Sequence, residues 1–220
     1  MTITTKVGTS AIIASSLAGL GAIGGRQLRQ EELSTKQQKT KIIDLITERY
    51  DYIILDDTNE SNKYWDENWN AYQGDNTGQG KDIFDLDGWT PTDTPGLRKK
   101  LKAKCSLLAD TFILKSDSQT YENFAKYCAR SVTIADQAKK ENLRIVNVDS
   151  DWNIWTSRDG ARRTLRAEIE KLKTNTHGLS GAYEIRGRCK NIISTNKKNT
   201  EYEDIFNAYK KICIKQPNER

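Results

Sequence analysis

The stretch Leu101-Lys-Ala-Lys-Cys105 returns later in the chain as Ile185-Arg-Gly-Arg-Cys189, with the order apolar, basic, small, basic and cysteine preserved. Two further stretches recur in the same order: Asp66-Glu-Asn-Trp-Asn-Ala-Tyr72 as Asp149-Ser-Asp-Trp-Asn-Ile-Trp155, and the stretch 121–128 as 206–213. Each stretch is repeated 83 to 85 residues further on. Three landmarks at nearly one offset indicate a tandem duplication of one folding unit.

Within each unit, the apolar residues are spaced three or four apart, which is typical of amphipathic helices. One stripe contains Leu97, Leu101, Cys105, Leu108 and Phe112, and its counterpart contains Ile185, Cys189 and Ile192. Asp66 and Asp149 are positioned as N-caps of helices that carry Trp69 and Trp152 into the repeat cores. The predicted fold class is therefore mainly α, with an N-terminal membrane helix followed by two tandem helical repeats and little or no sheet.

The same spacing defines the segments of the chain. Ser34 to Leu55 is predicted as a long helix, because Ile42, Ile43, Ile46, Tyr50 and Ile53 share one face. Residues 144–148 carry the best strand signal. We predict an N-terminal signal-anchor or transmembrane segment at 1–30, a helical linker at 31–62, a first helical repeat at 63–135 and a second at 136–220.

The chain as a whole is polar, with 36% hydrophobic and 30% charged residues and a mean hydropathy of −0.75. The exception is Val7 to Gly25, which contains no charged residue. As a helix this run would span roughly 28 Å, close to the thickness of a bilayer core. Gly19, Gly21 and Gly24 also match the dinucleotide-binding pattern, but the residues that follow are too polar to pack on a sheet.

We favour an uncleaved membrane anchor at residues 7–25, whose small residues would also let two such helices self-associate. The alternative is a signal peptide cleaved after the small-x-small stretch Ala22-Ile23-Gly24. Both interpretations export the rest of the chain, although Arg26 and Arg29 would favour its retention inside. We predict a single-pass protein of the cell membrane with an extracellular C-terminal region.

All 4 cysteines belong to the duplicated unit, and the two in each unit are 23 or 24 residues apart. This spacing lacks the closely paired ligands of a zinc site. An even number on facing helices predicts the disulfides Cys105–Cys128 and Cys189–Cys213, with four buried thiols as the alternative. Disulfides persist in oxidising surroundings, so this prediction and the export signal support each other.

No residue pattern indicates catalysis, a cofactor or a metal. The only histidine, His177, lies in a predicted loop and has no counterpart in the first repeat. The carboxylate pairs Asp56/Asp57 and Asp149/Asp151 are explained by helix capping. The basic runs at 98–104, 162–166 and 186–190 could contact nucleic acids or glycans. Since the net charge of +5 is spread along the chain, they are better explained as solvated helix faces.

The chain resembles the large paralogous families of uncharacterised proteins in haemotropic mycoplasmas. The resemblance rests on the glycine- and alanine-rich N-terminal anchor, the D-x-x-W stretch, the cysteine-bearing repeats and a segment like Tyr127-Cys-Ala-Arg-Ser-Val-Thr-Ile134. It covers nearly the whole chain. It implies a member of a many-copy set, displayed on wall-less bacteria that live on red blood cells, and it implies no catalytic residues.

These observations predict a membrane-anchored surface interaction or antigenic module that is not an enzyme. Its expected partners are a host cell-surface protein or an anionic glycan, together with membrane lipid around residues 7–25. The alternative is an intracellular helical nucleic-acid-binding protein with reduced cysteines. A third hypothesis, a secreted hydrolase, would depend on His177.

Overall fold

A computed structural model of the protein describes residues 39–56, 63–92, 94–115 and 117–219. In chain order its elements are β1 (Lys39–Lys41), α1 (Ile42–Arg49), β2 (Tyr52–Ile54), α2 (Lys63–Asn76), α3 (Pro95–Ala109), β3 (Phe112–Leu114), α4 (Ser118–Cys128), β4 (Ala129–Ser131), α5 (Ile134–Lys140), α6 (Trp152–Gly160), α7 (Arg166–Lys171), α8 (Gly181–Ile192) and α9 (Tyr202–Ile212). Over these residues the protein is mainly helical, as predicted, with two short two-stranded sheets.

The predicted membrane helix at residues 7–25 lies outside the described residues. Over the ranges that the structure does describe, no helix combines the length and the apolarity needed to cross a bilayer.

Both sheets pair a strand that flanks α1 with a strand that flanks α4. β1 is antiparallel to β3, with Thr40 opposite Ile113. β2 is antiparallel to β4, with Ile53 opposite Arg130. The best strand signal of the sequence, at residues 144–148, yields only an isolated bridge between Ile145 and Ile214.

Of the long helix predicted from Ser34 to Leu55, the described residues contain only α1, because residues 39–41 and 52–54 form the strands β1 and β2. α1 ends at Arg49 because Tyr50 adopts the left-handed region, with φ 52°, and its N–H donates to the carbonyl of Ile46. The chain then continues as the strand β2, whose apolar residues mimic a helical spacing. α1 is also more than a linker, because its buried face, with Ile42 and Leu45, packs into a core.

The buried side chains form two separate cores. One gathers residues between 42 and 128 and is rich in aromatic rings, with Trp65, Trp69 and Tyr72 almost completely buried. The other gathers residues between 134 and 214 around Trp155 and Tyr209. We refer to the described residues 39–131 as the first module and to residues 132–219 as the second module.

Hydrogen bonds at corresponding places recur in the two modules. Three bonds of the first module have counterparts in the second. The bond from Ile42 N–H to the Thr111 carbonyl corresponds to that from Ile134 N–H to the Thr195 carbonyl, and the bond from Leu55 N–H to the Cys128 carbonyl corresponds to that from Val146 N–H to the Cys213 carbonyl. The indole N–H of Trp65 donates to the Asp56 carbonyl, as that of Trp155 donates to the Asn147 carbonyl. By these contacts α1 corresponds to α5, and Trp65 corresponds to Trp155.

The two modules are joined through a short extended stretch. Val132 donates its N–H to the carbonyl of Asp51 at 3.0 Å and accepts the N–H of Lys197 at 2.9 Å. Next to it, the Arg130 guanidinium forms a bidentate pair with the Asp136 carboxylate at 2.6 and 2.9 Å. Both side chains are largely shielded from solvent, with exposed fractions of 21% and 18%.

This pair makes the junction sensitive to acid. Burial acts to raise the pKa of Asp136, but the hydrogen bonds from Arg130 and Thr133 outweigh it and lower the pKa to about 2. Because the folded value lies below the ordinary 3.8, the stabilisation is present above about pH 4 and is lost as the pH falls towards 2. We expect about 1 kcal/mol of this stabilisation to be lost between pH 6 and pH 3.

Urea unfolding of wild type and Asp136→Asn at pH 6 and pH 3 measures this contribution. The variant should be less stable at pH 6 and should lose about 1 kcal/mol less than wild type on acidification. Asp149→Asn, at an exposed carboxylate, serves as the control and should follow wild type. An equal acid loss in wild type and Asp136→Asn would contradict the assignment.

Candidate binding surface

Trp152 lies at the surface, although the sequence placed it in a repeat core. It is the first residue of α6 and is 37% exposed, whereas Trp155 is completely buried. The prediction for Trp152 is therefore wrong, and Trp155 fills the core position. Trp69, the other predicted core residue, is completely buried in the first module.

The loop before α6 explains the displaced register. The side chain of Asn147 accepts the N–H groups of Asp149 and Ser150, and Asp151 accepts the N–H of Asn147. Asp149 is therefore part of a turn, and α6 starts only at Trp152. The predicted cap Asp66 also differs, because it lies in the first turn of α2 and forms an ion pair with Arg98 at 2.6 Å.

The ring of Trp152 packs against Tyr183 on α8. Their ring centroids are 4.5 Å apart and the ring planes are inclined by 51°. Leu179 lies beside α8, where a Cβ atom built on Gly187 would come within 2.9 Å of its Cδ1 atom. Tyr183 is 55% exposed and Leu179 is 45% exposed. Trp152 and Tyr183 form an exposed apolar surface between α6 and α8, and Leu179 lies exposed next to α8 at Gly187, one helical turn from Tyr183.

Two cations flank this apolar surface. The guanidinium of Arg186 lies 5.9 Å from the ring centroid of Trp152 and 5.7 Å from that of Tyr183. One of its nitrogens donates to the carbonyl of Val148 at 3.2 Å, which fixes its position. Lys190 is exposed one helical turn further along α8. We call Trp152, Leu179, Tyr183, Arg186 and Lys190 the Trp152 patch.

The charge of the patch is not neutralised by the described part of the protein. Among those residues, no carboxylate lies within 4 Å of the Arg186 guanidinium or the Lys190 ammonium. Of the nine other cations in the basic runs, five have carboxylate partners among the described residues, namely Arg98 with Asp66, Lys100 with Asp87, Arg162 with Asp159 and Glu184, Arg166 with Glu170, and Arg188 with Glu184. The patch therefore combines exposed aromatic rings with unpaired positive charge.

The first module places a similar pair in its interior. Lys102, which the duplication aligns with Arg186, lies 5.3 Å from the ring centroid of Trp65. Both Lys102 and Trp65 are buried, with exposed fractions of 7% and 1%. A basic residue thus lies over a tryptophan in each module, but only the pair of the second module faces solvent.

A cavity of about 380 Å³ lies near the basic run at 162–166. It is lined by Arg162, Arg163, Arg166, Ile169, Glu170, Glu184 and Arg188. Arg188 is held there by the carbonyls of Ile169 and Leu172, both at 3.1 Å. Because its carboxylates engage Arg162, Arg166 and Arg188, this cavity offers an anion far less free charge than its four arginines suggest.

The cysteines lie where the sequence placed them. Cys105 on α3 faces Cys128 at the end of α4, and Cys189 on α8 faces Cys213 directly after α9. The two pairs are at disulfide distance, with Cα–Cα separations of 5.4 and 5.7 Å. All four residues are buried. The first pair therefore connects α3 with α4, and the second connects α8 with the end of α9, so each pair links two helices that pack on the core of its module.

The other candidate residues are not assembled into a site. His177 is exposed, and its backbone N–H donates to the Asn175 side chain. Asp151 forms an ion pair with Lys215 at 2.9 Å, while Asp57 lies outside the described residues. In the described ranges, no cluster of histidine, cysteine and carboxylate side chains could hold a metal ion.

No protein-family model, curated protein or solved structure matches the chain. The molecule is a mainly helical protein with two cysteine pairs at disulfide distance. On the surface of the described residues, the Trp152 patch combines exposed aromatic rings with cations.

Sequence reasoning missed Tyr183 and Leu179. A signal for Tyr183 exists, because this large ring falls outside the apolar stripe of Ile185, Cys189 and Ile192. A large apolar side chain on the polar side of a helix is a candidate contact residue. Leu179 gave no such signal, since loop residues carry no periodicity.

Proposed function

We propose that the protein is an exported interaction module without catalytic activity, which binds a partner macromolecule at the cell surface through the Trp152 patch. The exposure of Trp152 and Tyr183 beside Arg186 carries this proposal. Tryptophan, tyrosine and arginine are the residues most enriched among the energetically dominant contacts of protein interfaces. A host cell-surface protein or an anionic glycan would match the exposed rings and the free charge.

Export is supported by the cysteines and by the N-terminal sequence. Two cysteine pairs at disulfide distance suit an oxidising compartment. The uncharged run at residues 7–25 would anchor the protein in the membrane in a single pass, with the two tandem helical modules outside the cell. Variation of exposed residues would then give the antigenic role that the resemblance implies.

The intracellular nucleic-acid-binding alternative has less support. Phosphate contacts need lysine and arginine side chains that are free to release counterions. Arg98, Arg162 and Arg166 instead engage carboxylates of the protein itself. External protease on intact cells separates the two hypotheses, because survival of residues 39–219 would contradict the surface location.

The contact role of the patch is tested with Trp152→Ala. We expect this change to weaken binding of the purified full-length protein to red blood cells, the cell type that the resemblance implies. A dominant interface contact is worth about 2 kcal/mol or more, which corresponds to a roughly 30-fold rise in Kd. Binding is measured by flow cytometry over a protein concentration series.

Phe112→Ala provides the matched control, since Phe112 is an aromatic residue of the first module with 59% exposure. It should bind as wild type does. Equal binding by wild type and Trp152→Ala, or an equal loss in Phe112→Ala, would contradict the proposal.

A further inference from the structure

We infer that the Trp152 patch binds an acidic protein segment that also carries apolar side chains. This inference rests on the proposed function and specifies its partner. It follows from the unpaired charge of the patch, from its shape and from its supply of hydrogen-bond donors and acceptors.

The charge favours a carboxylate. Arg186 uses one nitrogen on the Val148 carbonyl, and its guanidinium is held beside two rings. An arginine fixed in this way loses little conformational freedom when it binds, and its remaining N–H groups match the two oxygens of a carboxylate. Lys190, one turn along the same face, would take a second carboxylate of the same segment.

The shape favours an apolar side chain between the charges. The Trp152 and Tyr183 rings are in contact and their planes are inclined by 51°, so together they present an apolar surface that is not flat. Leu179 extends the apolar surface along α8 towards Gly187. Burying a leucine- or phenylalanine-sized side chain here would add apolar contact to the binding of the charges.

The polar atoms favour a peptide over a sugar. Of the five patch side chains only the Tyr183 hydroxyl can accept a hydrogen bond, whereas Trp152, Arg186 and Lys190 only donate. Sugar hydroxyls need acceptors as well as donors, and a hydroxyl buried without an acceptor weakens binding because its lost hydrogen bond to water is not replaced. Carboxylates only accept, so they match a surface of donors.

Peptide display gives a direct test. A library of random 12-residue peptides is selected on immobilised, full-length wild-type protein in detergent. We expect the enriched peptides to combine Asp or Glu with Leu, Phe or Trp. The Kd of one selected peptide is then measured by fluorescence anisotropy at low and at higher salt, and it should rise with salt because exposed charges are screened.

Four variants assign the contacts. Arg186→Gln and Lys190→Gln should each raise the Kd of the selected peptide roughly tenfold. A tenfold change corresponds to about 1.4 kcal/mol, a reasonable value for a charge contact that is partly exposed. Gly187→Ala retains both charges but displaces Leu179. It should therefore weaken the binding of peptides with a large apolar residue and leave the binding of other peptides unchanged. Circular dichroism verifies that each variant is folded, and Arg186→Lys, which keeps the charge, should recover part of the affinity.

The outcomes separate this inference from the proposed function. Enrichment of peptides without acidic residues, failure to enrich any, or unchanged affinity in Arg186→Gln and Lys190→Gln would overturn the inference. If Trp152-dependent binding survives protease treatment of the red blood cells and is competed by heparin, a glycan partner replaces the acidic segment while the proposed function stands. If Trp152→Ala weakens neither the binding to red blood cells nor the binding of the selected peptide, the proposed function itself is wrong.

Discussion

Replacing Cys189 and Cys213 together by alanine will lower the free energy of unfolding of the second module by about 3 kcal/mol. The two residues are 24 positions apart and connect α8 with the residue after α9. A crosslink of this length restricts the unfolded chain, and its removal returns that conformational freedom. For a module of this size the midpoint of thermal unfolding should fall by about 10 to 25 °C.

The packing around this pair adds to the expected loss. Cys189 and Cys213 are 4% and 0% exposed, so alanine also removes buried sulfur atoms that contact the core. The paired variant Cys105→Ala/Cys128→Ala should behave similarly in the first module, where the separation is 23 residues. Differential scanning calorimetry of each variant, with wild type as reference, measures both effects.

Treatment of wild type with a reductant is the control that links stability to oxidation. Reduced wild type should unfold near the midpoint of the variant in which all four cysteines are replaced. If the reductant leaves the midpoint of wild type unchanged and peptide mapping finds four free thiols, the cysteines act as buried apolar residues. The main support for an oxidising compartment would then be lost.

The recurrence of the cysteine stretches was the most informative feature of the sequence. Cys105 and Cys189 each lie on an apolar stripe that a partner helix must cover, so spacing alone indicated which cysteines would face each other. The same reasoning failed for Phe112, which continues the stripe of Leu97 and Leu101 in the sequence. α3 ends at Ala109, and Phe112 belongs to β3 with 59% of its surface exposed.

The junction between the modules could not be predicted in the same way. Tyr50 ends α1 in a left-handed conformation that is uncommon for a bulky residue. Its counterpart Asn142, with φ 54°, follows α5 at the corresponding place. The conformation at Tyr50 is maintained by contacts from residues far along the chain, since its carbonyl accepts a hydrogen bond from Lys197 and its hydroxyl donates to the carbonyl of Asp136. Such tertiary contacts leave no periodic signal.

The sequence identified two residues of the candidate site but predicted the wrong role for them. The duplication drew attention to both Arg186 and Trp152. Arg186 was noted as part of a basic run, and Trp152 was predicted to lie in a core. Matching D-x-x-W stretches aligns Trp152 with Trp69, whereas the hydrogen bonds align Trp155 with Trp65. The bonds from Trp65 to Asp56 and from Trp155 to Asn147 span 9 and 8 residues. They relate two tryptophans 90 positions apart, whereas the D-x-x-W match relates two that are 83 apart. Letter-by-letter matching therefore assigned the inward position to the wrong tryptophan.

The two tryptophans of α6 provide the sharpest test of this register. Trp155→Ala should lower the free energy of unfolding by about 3 to 5 kcal/mol, the usual cost of removing a large aromatic side chain from a core. Trp155 is completely buried, and its Nε1–H donates to the Asn147 carbonyl at 3.1 Å. Trp152→Ala should cost less, about 1 to 2 kcal/mol, because its ring is 37% exposed and packs on one side against Tyr183.

Urea unfolding followed by circular dichroism measures both changes, with Trp65→Ala as the counterpart of Trp155→Ala in the first module. Trp155→Phe is the graded control, because it keeps an aromatic ring but loses the N–H donor, and it should cost less than the alanine variant. Similar losses in Trp152→Ala and Trp155→Ala would contradict the observed register and restore the sequence-based one. A large loss in Trp155→Ala alone separates the residue that holds the second module together from the residue that is free to contact a partner.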